Sequence, residues 1–372
     1  PAHATRRPHI AFLGSRGIPA RYGGFETFVE QVSTRLVELG IDVTVFCEGS
    51  GEGAPRAFGG VQLEYVRAWA PGPLRTLQFD AQCLARARKR FDVVYMLGYG
   101  ASLFCALPRL AGRDVWINMD GLEWRRSKWN ALARAWLWAM ERVAAHTATR
   151  LVYDNAALRD EVSARTRRGV PSTVLEYGAP LYVRDDETEA LSPFGLVPGG
   201  YRIAVARLEP ENHLVEIARA QLASESALPL AIVTNLELGG DYARAVQRLA
   251  GPRVKLLGSV YDPRVLQPLR RHAHAYVHGH SVGGTNPSLL EALGCASLVL
   301  AHANPFNRET LAGEALFWRD EAELTRAIVA SERLPAPERE RLRQAGFARA
   351  RDHYSWERIA RAYAELVRES CS

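Results

Sequence analysis

What the chain has little of bounds it first. Its five cysteines, Cys47, Cys83, Cys105, Cys295 and Cys371, are odd in number, widely scattered and form no C-x-x-C pair. A disulfide framework or a zinc centre is thereby disfavoured, and a reducing, cytoplasmic compartment fits better. No G-x-G-x-x-G occurs, so the dinucleotide fingerprint is missing and an NAD oxidoreductase is the least favoured enzyme class. Long apolar runs are absent too. The longest stretch free of charge and histidine, Val93 to Pro108, is broken by Gly98, Gly100 and Pro108 and is short of the ~18–20 residues of a membrane helix. Pro1 to Pro8 is polar and basic and does not read as a secretory leader. There is no short internal repeat and no low-complexity tract.

What is present reads as two α/β domains. At 372 residues the chain is too long for one ordinary core, and 47% hydrophobic with 24% charged residues is the profile of a globular protein. Short β-branched runs alternate with helical patterns, twice over. The first set of strands is 9–14, 42–47, 62–66, 93–97, 115–119, 150–153 and 173–176; the second is 201–206, 230–234, 254–257, 275–278 and 298–301. Strand–helix alternation implies parallel sheets covered on both faces, hence two doubly wound, Rossmann-like domains. The stretch Tyr177–Gly200, rich in Gly, Pro and acidic residues, is the expected linker. The expected division is 1–178, 179–355 and a closing helix within 356–372. Charge is uneven: residues 1–180 carry 24 basic and 17 acidic residues, and 181–372 carry 23 and 24. The basic first half points to an anionic partner such as a diphosphate or an acidic lipid.

In open parallel sheets ligands sit beyond the carboxyl ends of strands, so four loops matter. The loop Gly14-Ser15-Arg16-Gly17-Ile18-Pro19-Ala20-Arg21-Tyr22-Gly23-Gly24 opens the first helix. Gly23 and Gly24 let backbone N–H groups approach an anion, although an isolated Gly-Gly pair reads more often as a plain tight turn. Arg207, after the first strand of the second set, can grip a diphosphate with two N–H groups; the alternative is an ion pair with Glu209 or Glu211. The loop from His278 to Gly294 holds Gly283, Gly284, Thr285 and Asn286, then Pro287 where a first helical turn accepts it. Amides of Asn286, Ser288 and Leu289 are expected to point at a phosphate, and Glu291, one turn on, at the vicinal hydroxyls of a ribose. His272 and His274 lie at the other end of that strand, roughly 13 Å from His278, too far to complete a metal site with it. No metal is expected. Asp120, at the end of a first-domain strand, is a sugar contact or a general base. Beyond it Arg125, Arg126 and Lys128 interleave with Trp124 and Trp129. Either the tryptophans pack into the core, or this surface meets anionic lipid headgroups. No nucleic-acid module accompanies them, and no nucleic-acid partner is expected.

Taken together these loops resemble glycosyltransferase family 4 of the GT-B fold, and more narrowly the bacterial rhamnosyltransferase-type subgroup of cell-surface polysaccharide assembly. The resemblance rests on Gly14-Ser15-Arg16-Gly17-Ile18-Pro19 with Tyr22-Gly23-Gly24-Phe25-Glu26-Thr27. It also rests on Asp120-Gly121-Leu122-Glu123-Trp124, Arg207-Leu208-Glu209-Pro210-Glu211-Asn212, the Gly283-to-Glu291 loop, and Tyr354-Ser355-Trp356-Glu357. It implies an acceptor-binding first domain, a nucleotide-sugar-binding second domain facing it across a cleft, and a last helix that returns to the first. It further implies transfer with retention of configuration and without a metal, from a nucleotide-sugar co-substrate to a saccharide or lipid-linked acceptor, with dTDP-rhamnose the first donor expected. The absence of any D-x-D triplet agrees, leaving Arg207 and helix N-termini to neutralise the diphosphate. Three positions depart from the wider family. Gly283 stands where the first of two glutamates is usual, Asn212 or His213 where a lysine is, and Asp120 where a histidine is. These departures put the sugar contacts in question and keep two other readings open, a sugar-nucleotide epimerase and a non-catalytic sugar-nucleotide-binding module.

Overall fold

The structure is a computed structural model that describes residues 6–20, 23–166, 169–237 and 239–372. Arg21 and Tyr22, part of the first glycine-rich loop, lie outside the described residues. Contacts divide the chain into two compact units. One comprises residues 1–124, 129–177 and 356–372, and the other 125–128 and 178–355.

The first unit is built on an eight-stranded sheet. Its strands are β1 (His9–Leu13), β2 (Asp42–Glu48), β3 (Ala57–Phe58), β4 (Val61–Val66), β5 (Val93–Leu97), β6 (Asp114–Asn118), β7 (Arg150–Tyr153) and β8 (Ser172–Val174). The order is β3-β4-β2-β1-β5-β6-β7-β8, parallel throughout except for the short antiparallel β3–β4 pair. Its helices are α1 (Gly24–Glu38), α2 (Pro73–Ala87), α3 (Ala106–Leu110), α4 (Ala131–Thr147) and α5 (Ala156–Ser163). Strands covered on both faces need side chains that are apolar on both, and β5 is buried at every position. In α1 the buried residues Phe28, Val29, Val32 and Leu36 recur at helical spacing, and Gly40, at φ 82°, ends the run in a conformation that disfavours side chains.

The second unit carries a six-stranded, all-parallel sheet of β9 (Arg202–Val205), β10 (Leu230–Val233), β11 (Val254–Gly258), β12 (Ala275–His278), β13 (Val299–His302) and β14 (Leu316–Trp318). The order is β11-β10-β9-β12-β13-β14. Its helices are α6 (Leu214–Ala223), α7 (Asp241–Gln247), α8 (Pro263–Arg271), α9 (Pro287–Gly294), α10 (Pro305–Leu311), α11 (Glu321–Arg333) and α12 (Ala336–Asp352). Its core joins Leu214, Ile217 and Ala218 of α6, Leu230 and Ile232 of β10, and Leu324 and Ile328 of α11. The closing helix α13 (Trp356–Ser370) belongs to the first unit. It buries Trp356, Ile359, Tyr363 and Val367, packs on α1 through Phe28, and pairs the hydroxyls of Tyr363 and Tyr95 at 3.0 Å.

Both strand orders reverse direction next to the first strand of the unit, between β1 and β5 and between β9 and β12. Such switch points open a crevice at the carboxyl ends of the strands. The fold thus puts the loops after β1, β9 and β12 at the two places where a parallel sheet accepts a ligand.

Candidate active site

In the second unit, the loop after β9 is held by its own polar groups. The Asn212 side chain donates to Arg207 O at 3.0 Å, and the Glu209 and Asn212 amides close two further turns. Arg207 is exposed and makes no ion pair with Glu209 or Glu211 among the described residues. Those carboxylates turn elsewhere within the unit: Glu209 to Arg126 at 3.5 Å, and the buried Glu211 to the Ser127 hydroxyl at 2.6 Å. Arg126 is half-buried against Glu209, so it departs from the lipid-facing role expected of it, while Arg125 and Lys128 are exposed.

The loop after β12 comes against the Arg207 loop through Gly279. A Cβ on Gly279 would lie 2.2 Å from Asn212 O, so only glycine permits the approach. Ser281 then donates twice to Glu211 O, from its amide at 2.9 Å and its hydroxyl at 3.0 Å. Gly283, at φ 128°, has open space around it. Asn286 caps α9, its side chain accepting from the Ser288 amide at 3.0 Å, and its carbonyl accepting from Leu289 N. The cap therefore consumes two of the three amides expected to face a phosphate. Among the described residues, the amides of Gly283, Gly284 and Asn286 make no hydrogen bond to protein, so the donor-rich stretch lies a few residues earlier than expected.

Glu291 is positioned by a residue that the sequence did not single out. Arg270, on α8 and almost fully buried, meets the Glu291 carboxylate at 2.5 Å and the Ser288 hydroxyl at 3.1 Å. Ser288 also pairs with the buried Tyr276 hydroxyl at 2.8 Å. One arginine thus fixes two successive inner-face positions of α9, while Glu291 keeps about a third of its side chain open to solvent. A carboxylate held on one side and open on the other presents acceptor lone pairs in a set direction. Arg270 sits in the run Leu269-Arg270-Arg271, which reads as a solvated helix end, although packing withdraws both arginines from water.

Four histidines crowd the same strand ends. His278 stacks between Tyr276 and His280, and His213 stacks on His302 at 5.0 Å. Burial keeps His278 neutral far below the usual imidazole range. His280 is held down to about 3 by burial, with Arg126, Arg207 and His213 adding repulsion, and His302 to about 4 by burial and His213. His278, His280 and His302 are thus neutral at neutral pH, and Nδ1 of His280 is buried without a partner among the described residues. Among the described residues no group of three His, Cys, Asp or Glu side chains is arranged to hold a metal ion.

In the first unit, Gly23 starts α1 at φ 107°, and Glu26 occupies its surroundings: a Cβ on Gly23 would lie 2.1 Å from the Glu26 carboxylate. Glu26 also accepts the Arg16 amide at 3.0 Å. The positive end of α1 thus already faces a carboxylate, which disfavours a second anion at Gly23 and Gly24 and suits a neutral hydroxyl-bearing ligand better. Asp120 lies two residues past β6, half-exposed above the buried Tyr95, Tyr99 and Tyr177, whose hydroxyls are pushed upward by burial and, secondarily, by carboxylates that include Asp120. Trp124 splits from the other tryptophans: its indole donates to the fully buried Glu141 at 2.9 Å, beneath Arg165. Trp129 is half-buried and donates to Glu123 at 3.4 Å, whereas Trp136 and Trp138 on α4 are exposed.

Two switch-point loops facing a helix N-terminus invite comparison with known proteins. Residues 7–180 match a family model described as a domain of unknown function, DUF1972, and residues 222–365 match one described as glycosyl transferase-like. Among solved structures, sucrose-phosphate synthase from Thermosynechococcus elongatus is 18% identical, with 98% of this chain and 99% of that chain covered and a TM-score of 0.81. The fold is GT-B. A glycosyltransferase from Rickettsia africae is similar at 11% identity, 98% and 99% coverage and a TM-score of 0.74. Anabaena Alr3699/HepE in complex with UDP and glucose is similar at 17% identity, 98% and 100% coverage and a TM-score of 0.74. No curated protein sequence matches the chain. Residues 222–365 of this GT-B protein are thus similar to a glycosyl transferase-like domain.

Proposed function

We propose that the protein is a retaining, metal-independent glycosyltransferase of family 4. It moves a sugar from a nucleoside-diphosphate sugar to a saccharide or lipid-linked acceptor in cell-surface polysaccharide assembly. The observation that carries this reading is Glu291, fixed by buried Arg270 on a helix whose preceding loop offers unpaired amides beside the exposed Arg207. A carboxylate suits the ribose hydroxyls; the amides and the guanidinium suit a diphosphate. UDP accompanies glucose in the similar Anabaena protein, which supports a nucleotide-sugar donor. Open space at Gly283, in place of a carboxylate, leaves fewer polar anchors for the sugar and favours a 6-deoxy sugar such as rhamnose over a hexose.

In this reading the departing diphosphate takes the proton of the incoming hydroxyl on the same face of the sugar. The protein positions the partners and stabilises leaving-group charge, with Asp120 contacting the acceptor. Lipid-linked acceptors place the protein at the cytoplasmic face of a membrane. Support comes from α4 and α3, where Leu132 is 81% and Leu110 86% exposed beside exposed Trp136, Trp138, Arg109 and Arg134.

Thermal shift with dTDP-rhamnose and UDP-glucose tests the donor site, since a ligand at 100 times its Kd stabilises by about 2.7 kcal/mol. One donor should shift the wild type without added metal. Arg207→Ala and Glu291→Ala should each bind it at least about tenfold more weakly, the size of a lost charge-assisted contact. Unchanged affinity in both variants overturns the site. Product formed from donor alone would turn the reading to an epimerase.

A further inference from the structure

The amino-terminal end of β12 carries a second basic cluster, remote from the loops just described. There a cavity of about 300 Å³ is lined by Arg271, His272, His274, Arg339 and Arg343, with Asp185 at its rim. Asp185 is 73% exposed and is already engaged by Arg271, which itself keeps only 11% of its side chain in solvent. Arg343 gives its Nε to Ala296 O at 2.8 Å, and Glu340 lies 3.8 Å from its Nη1. Arg339 is half-buried, and its side chain makes no hydrogen bond or ion pair among the described residues. His272 is 8% exposed; its Nε2 is buried without a partner among the described residues, and its ring is hydrogen-bonded to the Glu187 backbone. His274 faces Ser331, with Arg202 and Glu332 nearby.

Three guanidinium groups around one concavity, two of them largely withdrawn from water, repel one another in a medium that screens poorly. Two carboxylates at the rim leave an excess of positive charge. The Arg339 guanidinium, without a partner among the described residues, and the guanidiniums of Arg271 and Arg343 beside it are donors that a tetrahedral oxyanion satisfies well, because its oxygens accept from several directions at once. We propose that this cavity is a second anion site, taking the phosphoryl group of orthophosphate or of a small soluble phosphate monoester. Its volume admits such a ligand. The site lies at the opposite end of β12 from His278, so a ligand here and a donor at the carboxyl edge do not compete for the same residues.

The imidazoles of His272 and His274 give a local readout. Titration of the full chain with orthophosphate, and separately with glycerol 3-phosphate, should shift both resonances saturably at constant ionic strength. Arg339→Ala should weaken binding about tenfold, Arg339→Glu should abolish it, and Arg207→Ala should leave it unchanged. Because the Arg339 side chain makes no hydrogen bond or ion pair among the described residues, both Arg339 variants should keep the wild-type Tm. The proposal is overturned by a shift that chloride reproduces, by unchanged affinity in Arg339→Ala, or by a response to phosphatidic acid vesicles with none to either soluble phosphate.

Discussion

At the scale of single residues, charge in unusual places is informative. Asp80 on α2 is 6% exposed, and its Oδ1 has no partner among the described residues. Burial first, and the carboxylate of Glu48 second, push it up to about 8. A carboxyl group raised in the folded state binds its proton there more tightly than in the unfolded chain. Its contribution to stability is therefore fully present below the unfolded value near 4 and is lost as pH rises through 8. Asp80→Asn removes that loss. The variant's advantage in unfolding free energy should grow by about 1 kcal/mol per pH unit between pH 4 and 8 and then level, as measured by urea denaturation across that range. A constant difference would show that Asp80 keeps its charge. Arg270 teaches a related lesson for the site. Its chemistry is plain in the sequence, but its partner Glu291 lies 21 positions away on another helix, and only packing brings them to 2.5 Å.

At the scale of elements, the close passage of the Arg207 loop beneath Gly279 is the most demanding local feature. An alanine there meets the backbone of Asn212 and the Ile217 side chain, and backbone has little room to give. Gly279→Ala should cost 1–3 kcal/mol of stability, the usual range for overpacking. It should also weaken donor binding, because the Arg207 turn must move. Equal donor affinity in a destabilised but folded variant would separate the loop from the site. The strands themselves were legible because β-branched runs and helical spacing alternate so regularly; 93–97, 150–153 and 275–278 match their observed bounds. Two strands were not legible. β3 is two residues long, and β14 is the three-residue edge Leu316–Trp318, too short to show a period of its own. The cap of α9 was read from Pro287, but not the consequence that Asn286 takes up the Ser288 and Leu289 amides.

At the scale of the whole molecule, the proposed activity and location are joined by the exposed apolar and basic surface of the first unit. No helix of the described residues is long and apolar enough to cross a membrane. Flotation with phosphatidylcholine vesicles should leave the protein unbound, and added phosphatidylglycerol should carry it upward. Binding should fall at 0.5 M salt, where screening shortens the reach of the arginines to a few ångströms. Replacing Leu132 and Trp136 by alanine should reduce it further. Equal recovery with and without the anionic lipid would rule this surface out as a membrane face.

The alternation of strand and helix and the helical spacing of Phe28, Val29, Val32 and Leu36 are local properties, and the sequence alone determined two doubly wound α/β domains from them; the GT-B fold was implied by the family resemblance that the loops carry. Strand order, the switch points and the edge strand follow from hydrogen bonding between segments far apart in the chain, which no local pattern encodes. The same division holds at the site. Arg207 and Glu291 were readable as chemistry in suitable loops. The grip of Arg270 on Glu291, the carboxylate of Glu26 at the start of α1 and the solitary Arg339 are matters of burial and distance. The tertiary structure decided them, because a charged side chain acquires its meaning from the groups and the water left around it.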